Sequence, residues 1–253
     1  MTTPGSVWIT GAGSGIGRAL ALRYLRAGAT VVGTSRRRET LDSIPAEAAA
    51  FSGRFHAMPA DMTDAAAVSE VVARIERDVA PLRLAVLNAG THIPMPGTEF
   101  SAATVRALLD GNVMTVANGI EAVLPHMLRR KSGQIAIVAS VAGYGGLPTA
   151  AAYGASKAAL INMAEALHLD LAGSGVAVRL VNPGFVKTPL TDRNDFPMPF
   201  LMDVGDAAGR LWQALEFGRG FEIAFPTRFA LILKFLRLLP YALYFRLVGR
   251  ATQ

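Results

Sequence analysis

TGAGSGIG, residues 10 to 17, decides the fold of this 253-residue chain. It follows the apolar run VWIT (7 to 10) and leads into a helical pattern that closes at Gly28. Glycines at such a turn let the backbone approach a pyrophosphate, whose charge is met by the N–H groups at the start of the helix. The alternative is a plain glycine-rich turn, but the strand–turn–helix placement favours a dinucleotide site. Its predicted lining residues are Gly11, Ser14, Gly15, Ile16 and Gly17.

Beyond this turn, short β-rich runs alternate with helical patterns. The predicted strands are 7–10, 30–34, 55–61, 84–89, 134–140, 176–184 and 221–225, and the predicted helices are 15–27, 64–79, 101–130, 153–172 and 206–217. Such alternation is typical of βαβ units around a parallel sheet. No linker or repeat interrupts it, so the sequence predicts a single α/β domain over residues 1–253.

Composition narrows the classes of site. Apolar residues make up 51% of the chain, and there is no cysteine, which excludes disulfides, thiolate metal sites and cysteine nucleophiles. No metal-ligand spacing joins the four histidines, so we predict no metal site. The N-terminus has no basic segment leading into a long apolar stretch, and we expect a cytoplasmic protein. A net charge of +6 permits anionic partners without choosing among them.

The run TSRRRET, residues 34 to 40, puts three arginines at the end of the second predicted strand. In a dinucleotide fold this strand ends beside the adenosine ribose, where an acidic residue would bind the 2′-hydroxyl of NAD. Ser35 stands there instead, and Arg36 and Arg37 would hold a 2′-phosphate by charge-assisted hydrogen bonds. The cluster therefore favours NADP(H), with NAD(H) as the alternative. A solvated charge run at a helix start is the other interpretation, and it suits Arg38.

A second pattern is YGASK, Tyr153 to Lys157, with Ser140 at the end of the fifth predicted strand. Positions i and i+4 share a helix face, so the phenol and the ammonium can point into one cleft. A neighbouring cation favours the phenolate and would lower the tyrosine pKa from its usual value near 10. Alone, this pair is usually ordinary helix surface. Its occurrence together with the glycine-rich turn predicts a catalytic site.

Taken together, these motifs resemble the classical short-chain dehydrogenase/reductase family over almost the whole chain. The matching residues are TGAGSGIG at 10–17, Asp61, NAG at 88–90, Asn112, Ser140, Tyr153, Lys157 and PGFVKTP at 183–189. The resemblance implies a Rossmann-like, doubly wound parallel sheet of seven strands in the order 3-2-1-4-5-6-7, with helices on both faces. Its active site would lie outside the carboxyl ends of the strands.

The resemblance also implies a role for each catalytic residue. Tyr153 would exchange a proton with the substrate oxygen, and Ser140 would hydrogen-bond that same oxygen. Lys157 would bind the nicotinamide ribose and depress the tyrosine pKa. Asn112 would position a water that connects Lys157 to solvent.

Further cofactor contacts follow from the same resemblance. Asp61 would accept a hydrogen bond from the adenine amino group; a helix-capping aspartate is the alternative. The remaining implied contacts are Met62, Asn88, Ala89, Gly90, Pro183, Gly184, Val186 and Thr188. An ordinary Pro-Gly turn is the alternative for residues 183–184.

Substrate contacts are predicted after the Pro-Gly motif and around the catalytic residues. Residues 190–205 are rich in Pro, Met and Phe and occupy the place of the family's substrate loop; they would form an apolar wall or pack on the core. The candidate side chains are His92, Tyr144, Leu147 and Phe185. A structural histidine is the alternative for His92.

Residues 226–253 form an amphipathic extension. It carries five basic residues and no acid, and Pro240 divides two predicted helices. Neither is long enough to span a bilayer. The segment would make peripheral membrane contact through 226–250, or cover the active site of its own or a neighbouring subunit.

The sequence therefore predicts an NADP(H)-dependent oxidoreductase, a carbonyl reductase or alcohol dehydrogenase, that interconverts a small-molecule carbonyl and a secondary alcohol on an apolar substrate. The alternative is a non-catalytic nucleotide-sensing or scaffold protein of the same fold. The family resemblance implies a homodimer or homotetramer. We expect no nucleic-acid partner, because the basic residues form no aromatic-interleaved groove.

Overall fold

Seven parallel strands form one sheet in the computed structural model, which describes residues 5–193 and 198–251. The strand order is β3-β2-β1-β4-β5-β6-β7, and every pairing is parallel. The strands are β1 (Ser6–Thr10), β2 (Thr30–Thr34), β3 (Arg54–Ala57), β4 (Leu82–Leu87), β5 (Gly133–Val138), β6 (Val176–Pro183) and β7 (Glu222–Phe225). The predicted fold class and strand order are confirmed.

Ten α-helices surround the sheet in the described ranges. They are α1 (Gly15–Arg26), α2 (Arg38–Asp42), α3 (Ile44–Glu47), α4 (Ala65–Arg74), α5 (Ala102–Leu109), α6 (Thr115–Arg130), α7 (Ala151–Asp170), α8 (Val204–Phe217), α9 (Thr227–Leu238) and α10 (Tyr241–Ala251). Strand β1 shows how they are distributed. Val7 and Ile9 pack against α1 and α8, whereas Trp8 faces the layer of α4, α6 and α7. Both faces of the sheet are thus buried, which explains why the strands are apolar throughout.

Strand β3 is shorter than predicted. It ends at Ala57 rather than at residue 61, because Pro59 has no N–H to donate to the ladder. The chain still follows β2, since the backbone N–H groups of Met58 and Ala60 donate to Gly33 and Ser35. Asp61 therefore reaches the carboxyl edge of the sheet on a loop, not on a strand.

The predicted helix 101–130 is also divided. A π-helical turn, Asp110–Met114, separates α5 from α6 and contains Asn112. A second π-helical segment, Ile75–Val79, ends the predicted helix 64–79. The short helices α2 and α3 have no counterpart among the predicted elements, because neither is long enough to show a helical period.

The C-terminal extension forms the two predicted helices, and Pro240 separates them. Helix α9 buries Phe229, Ala230 and Leu233 against the body of the protein, and α10 buries Tyr244 and Val248. Within the described ranges, no helix is both long and apolar enough to cross a bilayer.

Candidate active site

The glycine-rich turn lies between β1 and α1, where the strand order reverses. Gly11 and Gly15 have positive φ angles of 68° and 54°, a conformation that favours glycine. At Gly17, a Cβ atom would lie 2.4 Å from the carbonyl oxygen of Gly11. Gly17 therefore lets α1 pack tightly against the turn, and its predicted cofactor contact stays a prediction.

We expect Gly17→Ala to destabilise the protein by about 1–3 kcal/mol, because the added methyl group meets backbone that cannot easily move. The matched control is Gly209→Ala in α8, where a Cβ atom would have no neighbour within 4 Å. That change should stabilise the helix by up to about 1 kcal/mol. Urea unfolding measures both, and a Gly17→Ala variant as stable as Gly209→Ala would contradict the packing argument.

A cleft of about 490 Å³ opens next to this turn. It is lined by the turn, the segment after β2, the loop after β3 and the segment after β4. The predicted cofactor residues that line it are Gly11, Ser14, Ser35, Arg36, Arg37, Asp61, Met62, Ala89 and Gly90. Sequence reasoning missed Gly13, Thr40, Ala60, Thr63 and Thr115. Gly13 belonged to the quoted motif, but nothing local in the sequence marked the other four.

One end of the cleft is cationic. Arg36 and Arg37 are exposed and line it, and the hydroxyl oxygens of Ser35 and Thr40 lie 3.1 Å apart beside them. Arg38 lies outside the cleft lining and pairs with Asp42 along α2 at 3.3 Å. The three arginines thus divide into two that face the cleft and one on the helix surface.

Asp61 remains at the cleft because a different residue caps the next helix. Asp64 accepts hydrogen bonds from the backbone N–H groups of Ala66 and Ala67 at the start of α4. The carboxylate of Asp61 instead accepts from the backbone N–H and the hydroxyl of Thr63, at 2.9 and 2.8 Å. These two hydrogen bonds lower the pKa of Asp61, so the Asp61 side chain is an ionised carboxylate at neutral pH.

Hydrogen bonds join the NAG motif to the end of β1. Asn88 donates through its side-chain amide to the carbonyl oxygen of Thr10 at 3.0 Å. The Thr10 hydroxyl oxygen accepts from the backbone N–H groups of Asn88 and Ala89 at 2.9 and 3.0 Å. Asn88 therefore holds the floor of the cleft, while Ala89 and Gly90 line it.

Ser140, Tyr153 and Lys157 meet at the carboxyl ends of β5 and β6. The Lys157 Nζ donates to the carbonyl oxygen of Val138 at 3.1 Å and lies 5.7 Å from the centre of the Tyr153 ring. The Ser140 hydroxyl donates to the carbonyl oxygen of Pro183 at 3.3 Å. It also forms a hydrogen bond with Tyr153 that lowers the pKa of the phenol. The three predicted residues are thus in one place.

The protonation of this cluster differs from the prediction. Burial raises the pKa of Tyr153, and this effect outweighs the hydrogen bond with Ser140. Burial lowers the pKa of Lys157 to about 8. The expected depression of the tyrosine pKa by Lys157 is therefore wrong for the cofactor-free protein. The physical reason is desolvation, which favours the neutral form of both groups.

Asn112 is completely buried in the π-helical turn. Its Oδ1 accepts from the backbone N–H of Thr91 at 2.7 Å, and its Nδ2 donates to the Ser156 hydroxyl at 2.9 Å. A Cβ atom on Gly90 would lie 2.9 Å from that Oδ1 and 3.6 Å from the Lys157 Nζ. Asn112 and Lys157 are thus neighbours across a glycine. Each end of its amide has one partner in the protein, and the implied water contact stays a prediction.

The Pro-Gly segment runs from the catalytic cluster back to the glycine-rich turn. Gly184 donates its N–H to Phe225 at 2.7 Å, and the buried Val186 pairs with Met202. A Cβ atom on Gly15 would lie 3.2 Å from the Thr188 Cγ2, so Thr188 lies next to the glycine-rich turn. Ile16 packs on the core of the α1 face. Within the predicted loop 190–205, residues 194–197 lie outside the described ranges.

The four predicted substrate residues have different surroundings. The His92 ring meets the Tyr153 ring edge-on, with centres 4.6 Å apart. Phe185 stacks on Phe229 of α9, with centres 5.7 Å apart. The Tyr144 hydroxyl donates to Glu222, so only its ring is left to contact a substrate. Leu147 is half-buried in the loop before α7.

Helix α9 lies against this side of the site. Phe229 stacks on Phe200 as well as on Phe185, and the Lys234 ammonium pairs with Glu222. The extension therefore packs beside two predicted substrate residues of its own chain, Tyr144 and Phe185. Only the inward faces of its helices take part.

The residues fit a bound dinucleotide. Gly11, Gly13 and Gly90 line the cleft, so at these positions no side chain separates the backbone from a ligand. Arg36 and Arg37 stand at one end of the cleft, and Tyr153 with Lys157 stands beyond Gly90 at the other. This is the crevice at the strand-order reversal where doubly wound sheets bind nucleotides.

Comparison with known proteins agrees with this geometry. The family model described as short chain dehydrogenase matches residues 6–196. An oxidoreductase of Myxococcus xanthus is 39% identical over 236 residues, which cover 93% of each chain. The 3-oxoacyl-[acyl-carrier-protein] reductase of Thermotoga maritima is 34% identical over 185 residues, 73% of this chain and 75% of the reductase.

Solved structures are similar to this chain over nearly its whole length. A short chain dehydrogenase from Burkholderia cenocepacia in complex with NADP has a TM-score of 0.84 at 27% identity, covering 98% of this chain and 99% of its own. One from Burkholderia phymatum in complex with NAD has a TM-score of 0.82 at 26% identity, covering 90% and 91%. The chain described here therefore belongs to the short chain dehydrogenase family of oxidoreductases.

Proposed function

We propose that the protein interconverts a carbonyl and a secondary alcohol with NADP(H), using Tyr153 as the acid and base. The observation that carries the proposal is the meeting of Ser140, Tyr153 and Lys157 at the end of a cleft that fits a dinucleotide. A nucleotide sensor or scaffold needs no such set, which makes that alternative the weaker one.

The bound nicotinamide would supply or accept the hydride. During reduction, the Tyr153 hydroxyl would donate its proton to the substrate oxygen, and the raised pKa keeps that proton in place at neutral pH. The Ser140 hydroxyl would hydrogen-bond the same oxygen and fix its position. Lys157 would hold the nicotinamide ribose and, when protonated, stabilise negative charge on the phenol.

The rest of the cleft would hold the adenosine half. Asp61 would accept from the adenine amino group, and Arg36 and Arg37 would bind the 2′-phosphate. Residue 35 is a serine, so this position has no carboxylate to hydrogen-bond the 2′-hydroxyl of NAD(H). These features support NADP(H) over NAD(H).

We expect Arg36→Ala to weaken NADPH binding by about tenfold to a hundredfold, because it removes hydrogen bonds to a charged phosphate. NADH binding should change little, since NADH lacks that phosphate. Arg38→Ala is the matched control, because Arg38 pairs with Asp42 outside the cleft lining. Fluorescence titration of both cofactors measures the effect. Equal losses for NADPH and NADH, or an unchanged NADPH affinity, would contradict the assignment.

Aromatic side chains support an apolar substrate. Phe185 belongs to the Pro-Gly segment, and His92 packs on the catalytic tyrosine. NADPH oxidation measured against ketones, quinones and long-chain carbonyls would identify the substrate class, and activity with none of them would count against the proposal. We also propose that the protein is a homodimer or homotetramer in the cytoplasm. Sedimentation velocity tests the oligomeric state.

A further inference from the structure

The outward faces of α9 and α10 form an apolar surface, which we call the tail face and define as the exposed side chains between Arg228 and Leu247. Of the seventeen large apolar side chains that are exposed among the described residues, eight lie between Leu231 and Leu247. On α9, Leu231, Phe235 and Leu238 follow one another at helical spacing and are 61, 63 and 83% exposed. Soluble proteins seldom expose so many large apolar groups together without a partner.

Buried side chains on their inward faces hold both helices on the protein. Phe229 and Leu233 anchor α9 in the cluster with Val141. On α10, the buried Tyr244 donates its hydroxyl to the carbonyl oxygen of Gly146 at 2.7 Å. The outward side chains of both helices are therefore held on the surface of the folded protein.

The charge of the tail face has a single sign. Glu222 is the last acidic residue of the chain, and it pairs with Lys234. Arg228, Arg237 and Arg246 are exposed, and none of the ion pairs found in the described ranges includes them. Among the described side chains of the tail face, arginine is thus the only charged type without an ion-pair partner.

We propose that the tail face docks on the surface of an anionic lipid bilayer. Its apolar side chains would enter the boundary between headgroups and acyl chains, and its arginines would pair with anionic headgroups. A second copy of the chain fits less well. A two-fold contact would place the cations of one tail face against the other copy's tail face, and the segment after Glu222 carries no acidic side chain to neutralise them.

The test is flotation of the purified full-length chain with vesicles of phosphatidylcholine alone or of phosphatidylcholine with phosphatidylglycerol. We expect binding to the anionic vesicles that weakens as salt is raised, and much weaker binding to phosphatidylcholine alone. No cofactor or substrate is present, so failure here leaves the proposed reaction standing.

Two pairs of variants separate the apolar and cationic contributions. Phe235→Ser with Phe245→Ser should weaken vesicle binding by at least about tenfold. Phe100→Ser is its control, because Phe100 is 64% exposed and the two tail residues are 63 and 62% exposed. Arg228→Gln with Arg246→Gln should weaken binding about fivefold per cation, and the exposed Arg74→Gln is the control.

The proposal is overturned if the wild-type chain does not float with anionic vesicles, or if the phenylalanine pair floats as wild type does. It is also overturned if sedimentation velocity without vesicles shows that the same pair dissociates a wild-type oligomer. That result would assign the tail face to a second copy. Thermal unfolding of each variant shows whether it keeps the wild-type fold, which is expected because all substituted side chains are exposed.

Discussion

Tyr153→Phe is expected to lower kcat by about a thousandfold while NADPH still binds with close to wild-type affinity. A positioned acid or base contributes roughly a hundredfold to ten-thousandfold to such a reaction, and the substitution removes only the hydroxyl. The phenylalanine ring would keep the packing that the tyrosine ring makes with His92 and with the Lys157 ammonium. Steady-state NADPH oxidation gives kcat, and fluorescence titration gives the affinity.

Tyr241→Phe is the control, because Tyr241 is exposed on α10 and its hydroxyl accepts a hydrogen bond from Arg237. It should leave kcat unchanged in vesicle-free buffer. A Tyr153→Phe enzyme with wild-type kcat would remove Tyr153 from proton transfer. An enzyme that lost NADPH binding as well would show that the hydroxyl holds the site together rather than moving a proton.

The sheet was predictable because each strand carried a local signal. Strand β1 is apolar on both faces, and Gly11 and Gly15 occupy backbone conformations that favour glycine. The same holds for the catalytic cluster, since Tyr153 and Lys157 lie one helical turn apart. Such features need only neighbouring residues, and these a sequence displays directly.

The missed features depend on contacts between distant segments. Thr40 reaches the cleft from α2, which begins at Arg38, and Asn112 adopts a π-helical turn where Thr91 and Ser156 hold both ends of its amide. The tyrosine pKa was misjudged for the same reason. The spacing along α7 predicts that the Lys157 ammonium lowers the Tyr153 pKa. Burial, which the sequence does not show, instead raises that pKa.

Lys157→Met is expected to move activity and stability in opposite directions. Removing the ammonium should lower kcat/KM by at least about a hundredfold, because the cofactor ribose and the phenol both lose a charged partner. The same change should stabilise the cofactor-free protein. Burial lowers the Lys157 pKa from 10.5 to about 8, a shift that corresponds to a cost of about 3 kcal/mol for keeping the charge inside at neutral pH.

The pH dependence fixes the sign of this effect. Below pH 8 the lysine is charged in both the native and the unfolded state, so the full cost is present and Lys157→Met should be the more stable protein. Between pH 8 and about 10.5 the native lysine has lost its proton while the unfolded one keeps it, so wild type gains stability relative to the variant as pH rises. Above that range the charge-burial cost is gone. Urea unfolding at pH 7 and pH 10 measures the gap, with Lys187→Met, at an exposed lysine, as the control for removing a cation. A variant less stable than wild type at pH 7 would contradict this prediction. It would mean that the hydrogen bond from Lys157 to Val138 outweighs the cost of desolvating the cation.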